Sequence, residues 1–263
     1  MRQRRTAYPP IPLADIKTFI TIVRRLRKEC PWDREQTHQS IRHSLIEEVY
    51  EVVEALDTGN LEELKKELGD LFLHIAMHAT MAEQSKEFTL RDLVREITKK
   101  LIRRHPHVFG TRTATSAHEV KHHRERLKLN EGRTSLLDGI PKHLPALQRA
   151  SRVQERAARV GFDWKHRRGV WKKVQEETEE LHRATRRRDK KKIEEELGDL
   201  LFAVVNYARF LDVEPETALR RTVEKFIQRF RHIEEELKKQ GKDIHTSSLE
   251  EMDALWTEAK RRS

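Results

Sequence analysis

Two stretches constrain this chain more than any others: KKELGDLFLHIA at 65–76 and EEELGDLLFAVV at 194–205. Each sets an aspartate, Asp70 or Asp199, inside a run of leucine, phenylalanine, isoleucine, alanine or valine. A carboxylate carried into an apolar core without a partner costs several kcal/mol or takes up a proton instead. The expectation is that both aspartates are buried and that a positive group neutralises them.

The two stretches belong to a longer internal repeat. Glu47, Glu48, Glu51, Glu67 and Asp70 recur 129 residues later as Glu176, Glu177, Glu180, Glu196 and Asp199. KLIRRHPHV at 100–108 then resembles KFIQRFRHI at 225–233 at an offset of 125, which puts a four-residue difference in a connecting segment. The chain reads as two versions of one unit, 1–129 and 146–263. Residues 130–145 (NEGRTSLLDGIPKHLP), with Gly132, Gly139, Pro141 and Pro145, make the linker between them.

Apolar residues recur at helical spacing over 13–29, 37–57, 60–84, 89–104, 116–128, 145–160, 168–187, 190–211, 215–240 and 248–262. Cys30-Pro31, Thr58-Gly59-Asn60, His105-Pro106 and Val213-Glu214-Pro215 mark breaks. Nothing alternates over a strand length, and glycine (9) and proline (8) are scarce, so the fold class expected is all-α, in tandem helical bundles.

On a helix, Glu177 and Glu180 are three residues apart and Glu176 and Glu180 four apart, so the three share a face. Glu196 and Asp199, also three apart, share a face of the next helix. The turn around 184–191 is short, which makes the pair an antiparallel αα-hairpin with four or five acids meeting across its seam. Such a cluster repels itself unless a divalent cation turns the repulsion into coordination, and oxygen-only ligands favour Mg²⁺, with Mn²⁺ as a substitute. The first repeat offers the same set as a second metal site: Glu47, Glu48, Glu51, Glu67 and Asp70. An isolated ExxE is more often a solvated helix face; it is the doubled pattern that points to metal. A di-iron bundle would need Glu-x-x-His on two helices; Glu179 and His182 fit once, but Tyr50 stands in the first repeat where Glu179 stands in the second. His74 and His78 read as packing or surface residues.

Lys and Arg number 54 against 44 Asp and Glu, a net charge of +10, which suits a polyanionic partner, either a nucleic acid or a nucleotide. The basic run RRRDKKK at 186–192 is equally well a solvated helix end. Aromatic-rich basic surfaces, a helix-turn-helix and zinc fingers are all missing, which argues against nucleic acid. A basic helical scaffold or nucleic-acid-binding protein without turnover is the alternative to an enzyme, and it leaves Asp70 and Asp199 unexplained. The single cysteine, Cys30, fits a reducing compartment. No stretch approaches the ~20 apolar residues of a membrane span, and MRQRRTAYPPIPL lacks the apolar core of a signal peptide. The expected location is cytoplasmic.

EExxE followed after fifteen residues by ExxD, together with CPWDREQTH (30–38), KLIRRHPHVFG (100–110), SLLDGIPKHLPAL (135–147), ARVGFDW (158–164), ARF (208–210) and KFIQRFRHIE (225–234), resembles the MazG family of nucleoside triphosphate pyrophosphohydrolases. The resemblance spans about residues 13–262. It implies two tandem MazG domains that form a homodimer through intertwined bundles. It further implies Mg²⁺-dependent hydrolysis of NTPs and dNTPs, ATP among them, to nucleoside monophosphate and pyrophosphate with broad base tolerance, as nucleotide-pool housecleaning. A narrower dUTP or damaged-nucleotide pyrophosphatase is the alternative within that class. Carried onto this sequence, the resemblance makes Glu177, Glu180, Glu196 and Asp199 the metal ligands with Glu176 beside them. It puts nucleotide contacts at Lys173, Lys192, Lys225, Arg229 and Trp256, with Asn206 as a further polar contact. Lys100, Arg103 and Arg104 are the basic partners of the first domain. Met77 stands there where Asn206 stands in the second, so primary catalysis is assigned to the second domain.

Overall fold

The computed structural model describes residues 15–110 and 135–262, and the helix expected over 116–128 lies outside them. The chain divides into two compact units, Met1–Lys128 and Leu129–Ser263. Among the described residues every regular element is a helix.

The first unit runs α1 (Ile16–Glu29), α2 (Pro31–Glu35), α3 (Arg42–Thr58), α4 (Leu61–Gln84), α5 (Leu90–Arg104) and α6 (Pro106–Phe109). Short polar side chains start its long helices: Asp15 accepts from the Thr18 amide, Asn60 from the Glu63 amide, and Thr89 and Asp92 cap each other reciprocally. Pro31 and Pro106, which the sequence marks as breaks, also sit at the first position of the short helices α2 and α6, where a missing N–H costs nothing. Residues 37–41 form a turn rather than the expected start of α3. The Thr37 amide donates to Ser40 Oγ (2.8 Å) and the Ser40 amide to Thr37 Oγ1 (3.1 Å), a local bonding pattern that competes with the helix.

Helix α4 packs on α3, α1 and α5. Its buried face joins Ala76, Met77 and Met81 to Ile20 and Val23 of α1 and to Ile41. Arg27, buried on α1, donates to Gln84 Oε1 (2.9 Å) and to the carbonyls of Asp33 and Gln36, tying α1, α2 and α4 together.

The second unit runs α7 (Ala146–Ala158), α8 (Arg167–Arg187), α9 (Lys190–Phe210), α10 (Pro215–Lys239) and α11 (Leu249–Arg262). Helix α9 packs on α8 and α7, as α4 does on α3 and α1. The buried positions repeat at the 129-residue offset: Ile41 with Val170, Ala55 with Ala184, Glu67 with Glu196, Ala76 with Val205, Met77 with Asn206. The hairpin turn repeats too, with Gly59 (φ +68°) matched by Arg188 (φ +57°) and the N-cap Asn60 by Asp189. The four-residue offset change is placed differently from the expectation. Three of the four residues lengthen α4 itself, and one lengthens the connection to α5. The added turn carries Glu83 and Gln84, which pair with Arg24 and Arg27 of α1.

Candidate functional site

In the second unit the α8–α9 hairpin brings Glu177, Glu196 and Asp199 together, each offering a carboxylate oxygen within 4.8 Å of the others. Glu176 and Glu180 join Glu177 in a second such group one turn along α8. The burial is the reverse of the sequence expectation. Asp199 is exposed, and Glu177 and Glu196 are the buried acids, each 5% exposed. The run around Asp199 does not sink into the core of this chain: Leu197, Leu201, Phe202 and Val204 are 44–48% exposed, and only Ala203 and Val205 are buried. Asp70 is likewise half-buried, beside exposed Leu68, Phe72 and Ile75.

Two lysines neutralise the buried acids. Lys173 Nζ lies 2.6 Å from Glu177 and 2.7 Å from Glu176; Lys192 Nζ lies 2.9 Å from Glu196 and 3.1 Å from Glu195. These carboxylates hold both lysine pKa values above their ordinary range, through hydrogen bonds to Glu176 and Glu177 in one case and to Glu196 and Glu195 in the other. Glu180 pairs with Arg183 at 2.9 Å.

Against this acidic edge opens a cavity of about 520 Å³ between α7, α8 and α9, a size suited to a nucleoside-sized ligand. Lys173, Glu177 and Asp199 lie on its wall, so acids and basic group meet at one end. Val153, Ala157, Val170 and Ala203 make an apolar floor, and Phe162, Trp164 and Phe202 add aromatic walls. A Cβ at Gly169 would sit 2.8 Å from Trp164 Cδ1, so this glycine is what allows the indole to pack over the start of α8. Asn206 and Arg209 line the remaining side. Arg209 donates to Asn206 Oδ1 (2.9 and 3.1 Å) and to both carboxylate oxygens of Asp163 (2.5 and 3.0 Å), fixing the 162–164 segment against α9.

Of the expected nucleotide contacts, Lys173 and Asn206 therefore stand at the cavity beside the acids. Lys192 pairs with Glu196 at the acidic edge. Lys225, Arg229 and Trp256 form a separate group on α10 and α11, where Trp256 packs on Phe226 (5.1 Å between ring centroids) and lies under the Arg229 guanidinium (5.6 Å). Lys225 is exposed. Gln154, Phe162, Asp163, Trp164 and Arg209 line the cavity without having been singled out one by one. Phe162, Asp163, Trp164 and Arg209 fall in ARVGFDW and ARF, two of the stretches that carry the resemblance, and nothing in the sequence pointed to Gln154.

In the first unit Glu48, Glu51 and Glu67 come together, at the positions of Glu177, Glu180 and Glu196, and this group does not include the expected Glu47 and Asp70. Its charge balance differs, because Ser44 stands where Lys173 stands and Glu63 where Lys192 stands. Lys66 supplies compensation from another position, 3.0 Å from Glu67, which holds the Glu67 pKa down. Glu48 is pushed up by burial and by Asp70 and Glu67, and Glu51 by a hydrogen bond shared with Glu67 and by burial. His74 Nε2 reaches to 4.0 Å from Glu48, and His78 stacks on His38 with their Nδ1 atoms 2.7 Å apart. Glu47 and the α5 residues Lys100 and Arg103 are exposed, with Arg104 half-buried.

The oxygen-only donors and their mutual proximity fit a divalent cation in either unit, and the second unit, with two buried acids where the first has only Glu67, fits it better.

A sequence profile described as the MazG nucleotide pyrophosphohydrolase domain matches residues 36–109 and 168–234, that is, α3–α6 and most of α8–α10. Among curated proteins, the nucleoside triphosphate pyrophosphohydrolase/pyrophosphatase MazG of Thermotoga maritima is 43% identical over 244 residues, 92% of this chain and 94% of that protein. The nucleoside triphosphate pyrophosphohydrolase of Escherichia coli K12 is 41% identical over 256 residues, 94% of this chain and 97% of that protein. An uncharacterised protein of Bacillus subtilis, YabN, is 43% identical over 252 residues, 94% of this chain but 52% of that longer protein.

Proposed function

The chain belongs to the MazG nucleotide pyrophosphohydrolase family, and from that premise we propose that it hydrolyses nucleoside triphosphates to monophosphate and pyrophosphate with the second unit as principal catalyst. The observation that carries this reading is the juxtaposition of Glu177, Glu196 and Asp199 with a nucleoside-sized cavity on the same two helices. Mg²⁺ is the proposed cation, held by Glu177, Glu180, Glu196 and Asp199; when bound it neutralises phosphate charge and makes the α-phosphorus more electrophilic.

The chain's own residues do the rest. The cavity receives the base and sugar between Trp164, Phe162 and the apolar floor, which leaves the phosphates at the acidic edge. Lys173 and Lys192 hold Glu177 and Glu196 in place before substrate arrives, and their ammonium groups then meet the incoming phosphate charge. Glu176, exposed beside the ligand set and 2.7 Å from Lys173, orients the attacking water and takes its proton. Asn206 and Arg209 hold the far wall. Broad base tolerance fits a cavity whose lining is mostly apolar and aromatic.

The repeat at the acid positions makes the first unit a second metal site of weaker catalytic competence, since the places of Lys173, Asn206 and Arg209 are taken by Ser44, Met77 and Thr80. The domain limits proposed are 1–129 and 146–263 with 130–145 between. A homodimer is proposed because the same face of α4 and α9 leaves apolar residues uncovered in both repeats: Leu68 and Leu197, Phe72 and Leu201, Ile75 and Val204. No helix among the described residues is long and apolar enough to cross a membrane. The single cysteine suits the cytoplasmic location we propose.

The test is a product-resolved assay on the whole chain with a panel of NTPs and dNTPs, with and without Mg²⁺. Monophosphate plus pyrophosphate, lost on chelation, is the expected result. Diphosphate plus orthophosphate, or no turnover of any nucleotide, contradicts it.

A further inference from the structure

Among the buried polar atoms of the second unit without a hydrogen-bond partner, Gln154 Oε1 belongs to a residue of the cavity lining. Gln154 on α7 is 7% exposed and lines the cavity. Its amide nitrogen donates to the Phe202 carbonyl of α9 at 2.7 Å. A carbonyl only accepts, so this bond settles which end of the amide faces α9. The other end, Oε1, is buried and has no hydrogen-bond partner. A buried acceptor left open is disfavoured in the folded chain, and a site that keeps one has a use for it.

Asn206 stands one helical turn beyond Phe202 on α9, lines the same cavity and is 5% exposed. Its Oδ1 is committed to Arg209, which donates two N–H groups to it and is itself anchored on Asp163. That commitment orients the Asn206 amide and leaves Nδ2 as its remaining donor. Two residues of the cavity lining thus hold one open acceptor and one open donor, away from the charged groups of Lys173, Glu177 and Asp199 at the acidic end.

Resting on the pyrophosphohydrolase reading, we propose that Gln154 and Asn206 are the base-reading pair: Gln154 Oε1 accepts from an N–H of the base, and Asn206 Nδ2 donates to the neighbouring acceptor on the same edge. Every common base presents such a neighbouring pair on its pairing edge. Adenine has its 6-amino group and N1, cytosine its 4-amino group and N3, guanine N1–H and O6, uracil and thymine N3–H and O4. The order of the two differs, because the donor is exocyclic and the acceptor in the ring in adenine and cytosine but the reverse in guanine, uracil and thymine, so a couple fixed in one order favours adenine and cytosine over the others. The polar pair then sets a preference within the tolerance that the apolar lining allows. What the pair rejects is a base without a donor on that edge. The first unit has no counterpart, because Arg25 stands at the place of Gln154 and Met77 at that of Asn206.

The experiment compares ATP with purine riboside triphosphate, which lacks only the 6-amino group, in the whole chain and in Gln154→Leu. A site built to bond a substrate N–H penalises its loss strongly, so the wild type should lose about 10- to 100-fold in kcat/KM, mostly through KM. In Gln154→Leu the two substrates should become equal to within about twofold, through a rise in KM for ATP. Equal turnover of the two by the wild type, or a preference for ATP that survives in Gln154→Leu, overturns the proposal. If the variant does not fold, as judged by its helical circular dichroism, the wild-type ratio alone decides. If neither triphosphate releases pyrophosphate, it is the functional reading that fails. The base preference is then decided by equilibrium binding of the same two triphosphates, measured by titration calorimetry, where equal affinities overturn it.

Discussion

Glu177 and Glu196, each anchored by a lysine one helical turn away, show how a residue pattern becomes a site. The carboxylates were legible in the sequence because ExxE and ExxD at helical spacing have few other ways to meet. Their burial was not legible. The apolar run around Asp199 suggested that the aspartate was the buried group, yet that run faces outward from this chain at Leu197, Leu201 and Val204. Which face of an apolar helix is covered depends on what packs there, and one chain's sequence does not say. The raised pKa values of Glu48 and Glu51 carry a pH prediction. A carboxyl whose folded-state pKa is raised binds its proton more tightly in the folded chain, so it contributes stability at low pH that is lost as pH rises through the raised value. Glu67, held low by Lys66, acts in the opposite direction. A cation must displace the protons on Glu48 and Glu51. The gain in melting temperature on adding Mg²⁺ should therefore be larger at pH 7 than at pH 5. A gain independent of pH, measured by differential scanning fluorimetry, would count against a carboxylate site. Gly169 gives a prediction of a different kind: Gly169→Ala displaces the Trp164 indole and should raise KM severalfold while leaving helical content unchanged.

At the scale of elements, nine of the ten segments read from periodicity fall among the described residues, and each holds one of the long helices, with ends shifted by a few residues. The misses have local causes. Pro31 and Pro106 start helices as well as ending them, and the Thr37–Ser40 bonding holds 37–41 in a turn. The hairpin turn gives a reciprocal test of the repeat. Gly59 and Arg188 both adopt the left-handed conformation that disfavours a side chain. A Cβ at Gly59 would meet nothing within 4 Å, so its substitution is felt through the backbone alone. Arg188→Gly should stabilise the second unit by about 0.5–1 kcal/mol and Gly59→Ala should destabilise the first by a similar amount. Chemical denaturation of each variant measures both, and changes of the same sign would mean that the two turns are not equivalent.

At the scale of the whole molecule, two units built on one plan carry unequal sites. The acids are duplicated, while the lysine, amide and guanidinium side chains around the cavity are found in the second unit alone. This inequality was partly visible in the sequence, at Met77 opposite Asn206. The cavity itself was not, because its walls come from α7, the 162–164 segment, α8 and α9, and residues so far apart declare no common purpose until they are folded together. The uncovered face shared by α4 and α9 predicts self-association. Light scattering behind size exclusion should give a dimer for the wild type and a smaller species for Leu201→Glu, and a monomeric wild type would leave that face to some other partner. The central claim, catalysis in the second unit by its acid cluster, is tested most directly by pyrophosphate release from ATP with Mg²⁺ in Glu177→Gln and Glu48→Gln, compared with the wild type. Loss of activity by about 10²-fold or more in Glu177→Gln, with Glu48→Gln retaining most of it, is the predicted result. Equal loss in both, or activity that survives Glu177→Gln and disappears in Glu48→Gln, would contradict it.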